Sequence, residues 1–203
     1  MVAQIAECET HLRSDAEREL MRRRAEQLSA EIEITATKLA DIVVVGESSG
    51  GCLALGLAVM LDEHRADLPA GIAALSPMSD LEMRGASWLF NAEKDVADRD
   101  MGRRLTSLYI DDSERHDRVA SPVRHHFAGV APIFIGIGSD ETMLSDAERT
   151  AFRADEAGVD VTLSIYEGMP HGFTRLDVGT GAQAVMDCAD WCLARIPRTA
   201  KLE

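Results

Sequence analysis

This chain of 203 residues lacks long apolar runs and is poor in basic residues, and each shortage argues against a class of protein or partner. No apolar run approaches the roughly 20 residues that a membrane-spanning helix needs. Basic residues are few, 21 against 35 acidic ones, which leaves a net charge of −14. Such an excess of negative charge argues against nucleic acid and anionic membranes as partners.

Cysteine is also scarce, with four residues scattered along the chain. Cys188 and Cys192 fall in a predicted helix and Cys52 follows a glycine-rich turn, so we expect all four to be reduced thiols. The first residues lack the basic and then apolar order of a secretory signal. The sequence therefore predicts a cytoplasmic protein, and its length favours one domain, residues 1–203, with a real core.

The most informative segment is GESSGG at residues 46–51, which follows the apolar run IVVV at 42–45. It has the pattern G-x-S-x-G of a nucleophile elbow, in which a buried strand precedes the serine and a helix follows it. The glycines at 46 and 50 would avoid clashes in so tight a turn, and Ser48 could then hold a strained backbone. We expect the Ser49 N–H to face an oxyanion. The alternative is a structural glycine-rich turn.

A serine nucleophile needs a base and an orienting acid, in the chain order Ser, Asp or Glu, and then His. Asp140 follows a strand predicted over residues 132–138. His171 follows a strand predicted over 159–166, in a loop rich in glycine and proline, which suits a base that must lie beside the serine. We therefore predict that Ser48, Asp140 and His171 form a catalytic triad. The alternative for His171 is a loop histidine without chemistry.

Other acids and histidines compete for these roles. Glu141 is the nearer rival of Asp140, whereas Asp146 fits the first turn of the next helix, where an acid favours the helix dipole. His125 and His126 are adjacent but have no cysteine or carboxylate at ligand spacing, so the sequence predicts no metal site. The expected chemistry also needs no organic cofactor.

Four segments carry a resemblance to a known family: GESSGG, SPMSDL, GSDETMLSDA and GMPHGF, in that order. Together they resemble the hormone-sensitive-lipase-like branch of the α/β hydrolases, the bacterial esterases of the fold-3 group. The resemblance runs from about Asp41 to Pro197. It implies a three-layer αβα sandwich with a mostly parallel sheet, and a carboxylic ester hydrolase with Ser48 as nucleophile, Asp140 as acid and His171 as base.

One segment of the resembled family has no counterpart here. Its members carry a His-Gly-Gly-Gly loop before the elbow, whose N–H groups form most of the oxyanion hole, and residues 1–40 contain no glycine. The chain therefore resembles the C-terminal two-thirds of a hydrolase. The alternative to an esterase is a weak or inactive remnant, or a binding module that keeps the pocket. A serine peptidase of the same fold is disfavoured, because a propeller domain has no room.

Strands alternate with helices along the rest of the chain, which predicts a parallel sheet. Residues 1–40 are interpreted as an atypical helical segment, with a capped helix over 14–30 and then a strand or continued helix at 31–36. The further predicted elements are a strand at 71–75 and helices at 51–64, 144–157 and 181–196.

Residues 78–130 show no dominant period and are interpreted as a cap-like insertion, which in the resembled family packs over the active site. We expect substrate contacts from Trp88 and Phe90 in the insertion, from Glu47 beside the nucleophile and from Met169 beside the base. The alternative is that the apolar side chains of the insertion close a small core.

The elbow strand raises the question of a partner, because such a strand normally pairs on both edges. Either residues 31–36 fold back to cover its free edge, or a second copy of the chain does. We therefore expect a small-molecule ester as the substrate and a homodimer as a possible assembly.

Overall fold

Four parallel strands form the centre of this computed structural model, which describes residues 38–175 and 179–196. They are β1 (Val43–Glu47), β2 (Gly71–Leu75), β3 (Ile133–Gly138) and β4 (Val161–Tyr166), and their spatial order is β1-β2-β3-β4. The strands predicted from the sequence are confirmed to within two residues, and β2 has the predicted bounds. The elements predicted over residues 14–36 lie outside the described residues.

Helices follow or connect the strands. They are α1 (Ser49–Glu63), α2 (Ser87–Phe90), α3 (Arg99–Thr106), α4 (Leu144–Glu156) and α5 (Gly179–Arg195). Short 3-10 turns lie at Leu39–Asp41, Asp112–Glu114, Pro122–Arg124 and Phe173–Arg175. The three long helices predicted from the sequence are confirmed, each to within two residues.

Helices cover both faces of the sheet, because successive side chains of a strand point in opposite directions. Ile72 and Ala74 of β2 belong to one apolar cluster with residues of α1 and α4. Ala73 and Leu75 pack on the other face, against Trp191 and its neighbours in α5. A sheet buried on both faces explains why β2 and β3 are apolar throughout. The result is a three-layer αβα sandwich, and the predicted fold class is confirmed.

The segment at residues 78–130, between β2 and β3 and predicted to be an insertion, contributes to this core. Trp88 in α2 is 2% exposed, and its indole Nε1–H donates to the Asp146 carboxylate at 2.6 Å. Asp146 lies in the first turn of α4, as predicted. The prediction that Trp88 contacts the substrate is wrong, because its ring is enclosed and its polar atom is bound to a neighbouring helix. Phe90, two residues later, is 61% exposed.

Candidate active site

Ser48 occupies the sharp turn between β1 and α1. Its backbone angles, φ 57° and ψ −119°, are rarely adopted by a residue with a side chain. The turn is held on both sides, since Ser48 N–H donates to the Leu75 carbonyl at 2.9 Å and Ser48 C=O accepts from Cys52 N–H at 3.1 Å. The strained serine expected at this position of the sequence is therefore present.

The two glycines of the motif play different parts. A Cβ at Gly46 would collide with the carbonyl group of Gly50, so the first glycine is required by the close approach of the chain. The clash expected at Gly50 is absent, because a Cβ there would meet nothing within 4 Å. The crowded neighbour is Gly51, where a Cβ would lie 3.1 Å from Pro77.

His171 lies beside this serine, although 123 residues separate the two in the sequence. Its Nε2 is 2.9 Å from Ser48 Oγ. The loop that carries it follows β4, and Gly168 and Gly172 on either side adopt positive φ angles of 70° and 78°. Glycine tolerates such angles at little cost, which lets the loop turn back across the end of β1.

The other ring nitrogen of His171 meets a carboxylate. Nδ1 lies 2.8 Å from Glu141 Oε2, and the Glu141 side chain is fully buried. Glu141 Oε1 accepts two further hydrogen bonds, from Ser76 Oγ–H and Gly138 N–H, both at 2.7 Å. Because a carboxylate only accepts, Nδ1 must carry the ring hydrogen in the neutral imidazole, and Nε2 is left to accept from the Ser48 hydroxyl.

Asp140 does not reach the histidine. Its carboxylate lies 3.3 Å from Lys94 Nζ, and its side chain is 30% exposed. A turn after β3 explains the difference: Glu141 N–H donates to the Gly138 carbonyl at 3.2 Å, which directs Glu141 inward and its neighbour outward. The prediction that Asp140 orients His171 is therefore corrected, and the partner of the imidazole is its nearer rival in the sequence.

The charges around His171 set its protonation. Burial by itself would lower the pKa of the imidazole, but the hydrogen bond and negative charge of Glu141, with the charges of Asp95 and Glu47, outweigh it and raise that pKa above its ordinary value. The site therefore favours the imidazolium form, the species that arises when a base takes a proton from a serine.

Two polar residues of the insertion support the site, and the sequence analysis missed both. Asn91 Nδ2 donates to the carbonyls of Ser139 and Glu141, at 3.0 and 2.8 Å. Asp95 accepts from His171 N–H at 2.7 Å. No periodic pattern marks these residues, and the three hydrogen bonds named here join residues 48 to 76 positions apart.

The remaining residues expected at the site have varied surroundings. Ser49 is the first residue of α1, where helix N–H groups have no intrahelical partner. Glu47 accepts hydrogen bonds from Thr174 Oγ1–H at 2.7 Å and Arg175 Nε–H at 3.3 Å. Met169 is half-buried against the ring cluster at the end of β4. Substrate contacts by Glu47, Phe90 and Met169 stay predictions.

One group of possible metal ligands occurs among the described residues. Asp62, His125 and His126 each place a ligand atom within 4.8 Å of the others. The buried His125 and Asp62 are already hydrogen-bonded to each other, with Nε2 and Oδ2 at 3.0 Å. This pair links the end of α1 to the segment before β3. The absence of a metal site stays a prediction.

In the described parts of the chain, none of the helices combines the length and the hydropathy that a membrane span requires. Cys52, Cys188 and Cys192 are free thiols. Burial raises the pKa of Cys52 to about 12, so this thiol near the elbow stays protonated. Its Sγ–H donates to the Ala120 carbonyl at 3.2 Å, which makes it a packing residue.

Comparisons with known proteins agree with this fold. A family model described as alpha/beta hydrolase fold matches residues 15–175. An esterase of Acinetobacter venetianus is 29% identical over 155 residues, and an acetyl-hydrolase of Streptomyces hygroscopicus is 29% identical over 131 residues. These alignments cover 74% and 64% of this chain, and 51% and 44% of the two relatives. The chain thus spans about half the length of the curated relatives it matches.

Solved structures show the same fold and the same partial coverage. The hormone-sensitive-lipase homologue EstE7 from a metagenome library superposes with a TM-score of 0.78 at 32% identity, covering 83% of this chain and 59% of its own. A hormone-sensitive lipase from a metagenome library superposes with a TM-score of 0.74 at 34% identity, covering 77% of this chain and 55% of its own. Both matches leave more than two-fifths of the known structure without a counterpart.

Proposed function

Because the chain belongs to the alpha/beta hydrolase fold family, in its hormone-sensitive-lipase-like branch, we propose that it is a serine carboxylic ester hydrolase that acts through an acyl-enzyme. The observation that carries this proposal is the continuous line of contacts from Ser48 Oγ to His171 Nε2 and from His171 Nδ1 to Glu141 Oε2. The relatives named esterase and acetyl-hydrolase support the same reaction class.

In the proposed mechanism, His171 Nε2 takes the proton of the Ser48 hydroxyl as Oγ attacks the ester carbonyl. Glu141 fixes the tautomer of the ring and stabilises the imidazolium. His171 then gives its proton to the departing alcohol. A water activated by the same nitrogen attacks the acyl-serine, and the acid leaves with Ser48 restored.

The developing oxyanion needs hydrogen-bond donors, and we assign one of them to Ser49 N–H. It lies at the N-terminus of α1, where the helix dipole favours negative charge. In a serine protease, the loss of a single oxyanion donor reduces the rate about 100- to 1,000-fold. No glycine precedes Gly46, so a His-Gly-Gly-Gly loop is absent from this sequence. A site with Ser49 N–H as its one assigned donor would fit the second candidate, a weak or inactive hydrolase that acts as a binding module.

A fluorophosphonate probe separates the two candidates. It should label Ser48 covalently, because the Oγ is activated by His171, and Ser48→Ala should abolish the labelling. Ser49→Ala is the matched control, since it removes a neighbouring hydroxyl but keeps the backbone N–H. Hydrolysis of p-nitrophenyl acetate and butyrate is measured on the same samples.

Each outcome decides something. Labelling that persists in Ser48→Ala rejects Ser48 as the nucleophile. A folded wild-type chain that is neither labelled nor active rejects the esterase and leaves the binding module. Labelling of Ser48 without ester turnover indicates an activated serine whose oxyanion site is incomplete.

We further propose that the substrate is a small or short-chain ester. The relative named acetyl-hydrolase supports a small acyl group. Phe90 exposes 61% of its surface and Met169 lies in the loop of His171, so both are proposed substrate contacts together with Glu47. Phe90→Ala should raise KM for butyrate esters more than for acetate esters, and an equal change for both esters would remove Phe90 from the binding site.

The assembly and location of the protein are also proposals. Within the described residues β1 pairs with β2 alone, and Val45 is 40% exposed, which supports a homodimer through this edge. Light scattering that shows only a monomer at tens of micromolar would favour local cover of the edge. The free thiols support a cytoplasmic location. We also propose that the chain forms one domain, with residues 78–130 as a cap-like insertion.

A further inference from the structure

The loop between α2 and α3 contacts the acid and the base of the site at the same time. Asn91 holds the carbonyls of Ser139 and Glu141, Lys94 pairs with Asp140, and Asp95 binds the histidine loop. We propose that Asp95 is a positioning residue that fixes Glu141 and His171 relative to each other. This inference rests on the proposed esterase function.

The two oxygens of Asp95 serve different loops. Oδ1 accepts from His171 N–H at 2.7 Å, and Oδ2 accepts from Thr142 N–H at 2.7 Å and from Thr142 Oγ1–H at 3.1 Å. Thr142 directly follows Glu141, so one carboxylate connects the backbone of the base to the backbone beside the acid. Hydrogen bonds to an ionised acceptor are about twice as strong as neutral ones.

This connection matters because the line from serine to acid has narrow tolerances. Ser48, Glu141 and His171 follow three different strands, and the parallel sheet fixes only where each strand ends. The side-chain distances of 2.9 and 2.8 Å depend on the loops beyond those ends. A displacement of about 1 Å at a catalytic group can reduce the rate about 100-fold.

Asp95 also acts on His171 through its charge. Its hydrogen bond is to the backbone of His171, but its charge also raises the pKa of the imidazole, as do the contact with Glu141 and the charge of Glu47. Lys94, the adjacent cation, pairs with Asp140. The negative charge of Asp95 therefore adds to the stabilisation of the imidazolium, in addition to the geometric role of its two oxygens.

The experiment compares Asp95→Asn with Asp98→Ala in the same insertion. Asparagine keeps the size of Asp95 but offers one acceptor oxygen and removes the charge. Asp98 is an exposed N-cap of α3 that accepts from Met101 N–H at 2.7 Å, so its loss loosens the insertion without touching the triad. The measurements are the rate of fluorophosphonate labelling, kcat and KM for p-nitrophenyl acetate, and the His171 pKa by imidazole NMR.

We expect Asp95→Asn to slow labelling and kcat by about tenfold to 100-fold, with little change in KM, and to lower the His171 pKa. Asp98→Ala should leave all three readouts near wild type. The proposal is overturned if Asp95→Asn behaves as wild type, or if Asp98→Ala slows the site equally. If the wild-type chain is neither labelled nor active, the proposed function fails, whereas the NMR comparison still decides whether Asp95 acts on His171.

Discussion

Replacement of Glu141 by glutamine removes one acceptor oxygen from the side chain that orients His171. The Oε1 position receives two donors, Ser76 Oγ–H and Gly138 N–H, both at 2.7 Å. An amide NH2 cannot face two donors, so the glutamine oxygen must occupy that position. The NH2 group then faces His171 Nδ1, which must accept.

This substitution changes the tautomer of the His171 imidazole. With Nδ1 as acceptor, the ring hydrogen moves to Nε2 and points at Ser48 Oγ, 2.9 Å away, so the base can no longer take the serine proton. The corresponding substitution in a serine protease reduces kcat about 10⁴-fold by the same change of tautomer. We expect a loss of similar size here, equivalent to about 5.4 kcal/mol of transition-state stabilisation.

Asp140→Asn is the matched control, one residue away and of the same chemistry. It breaks an exposed ion pair with Lys94, and such pairs contribute about 0–1 kcal/mol. We expect kcat within about fivefold of wild type. The assay is hydrolysis of p-nitrophenyl acetate, with circular dichroism to show that both variants are folded. An unchanged kcat in Glu141→Gln, or an equal loss in Asp140→Asn, would refute the assignment of the acid.

Three further outcomes are expected. The kcat/KM of the wild-type chain should rise with pH as His171 loses its proton. Because the pKa of this ring is raised, the midpoint should lie above the ordinary imidazole pKa of about 6.5. A midpoint below that value would contradict the effect assigned to the neighbouring negative charges. Gly46→Ala should lower the free energy of unfolding by at least about 2 kcal/mol, because the new Cβ would collide with the Gly50 carbonyl. Gly50→Ala should be tolerated, and denaturant unfolding of both variants tests the difference. Trp88→Phe should cost about 1–3 kcal/mol in the same assay by leaving the Asp146 carboxylate without its indole donor, and should leave KM unchanged because Trp88 is buried.

The strands and long helices could be predicted from the sequence because their signals are local. Four apolar β-branched residues before a glycine-rich turn define β1, and a short apolar run flanked by proline and glycine defines β3. Burial on both faces makes the pattern of β3 strong, since both faces of a central parallel strand must be apolar, whereas the described β1 is only half-buried. Ser48 and His171 can be predicted to lie close together for the same reason, as each follows a strand that the pattern marks.

Local patterns could not decide which carboxylate contacts His171. Asp140 and Glu141 are adjacent, chemically similar and follow the same strand, and the choice between them depends on a turn closed by a hydrogen bond of 3.2 Å to Gly138. The burial of Trp88 could not be predicted because its indole donates to Asp146, 58 residues away. Long-range contacts of single side chains leave no periodic signal in the sequence. For that reason the contact of Asp95 with the His171 loop could not be predicted.

The backbone of Ser48 has a consequence for laboratory evolution of this chain. A residue with a side chain at a positive φ angle of 57° is strained by about 1–3 kcal/mol, and glycine at position 48 would relieve that strain while deleting the hydroxyl. Selection for heat resistance alone would therefore reward the loss of the proposed nucleophile. In this fold, thermostability and reactivity compete at a single residue, so a screen must demand both at once.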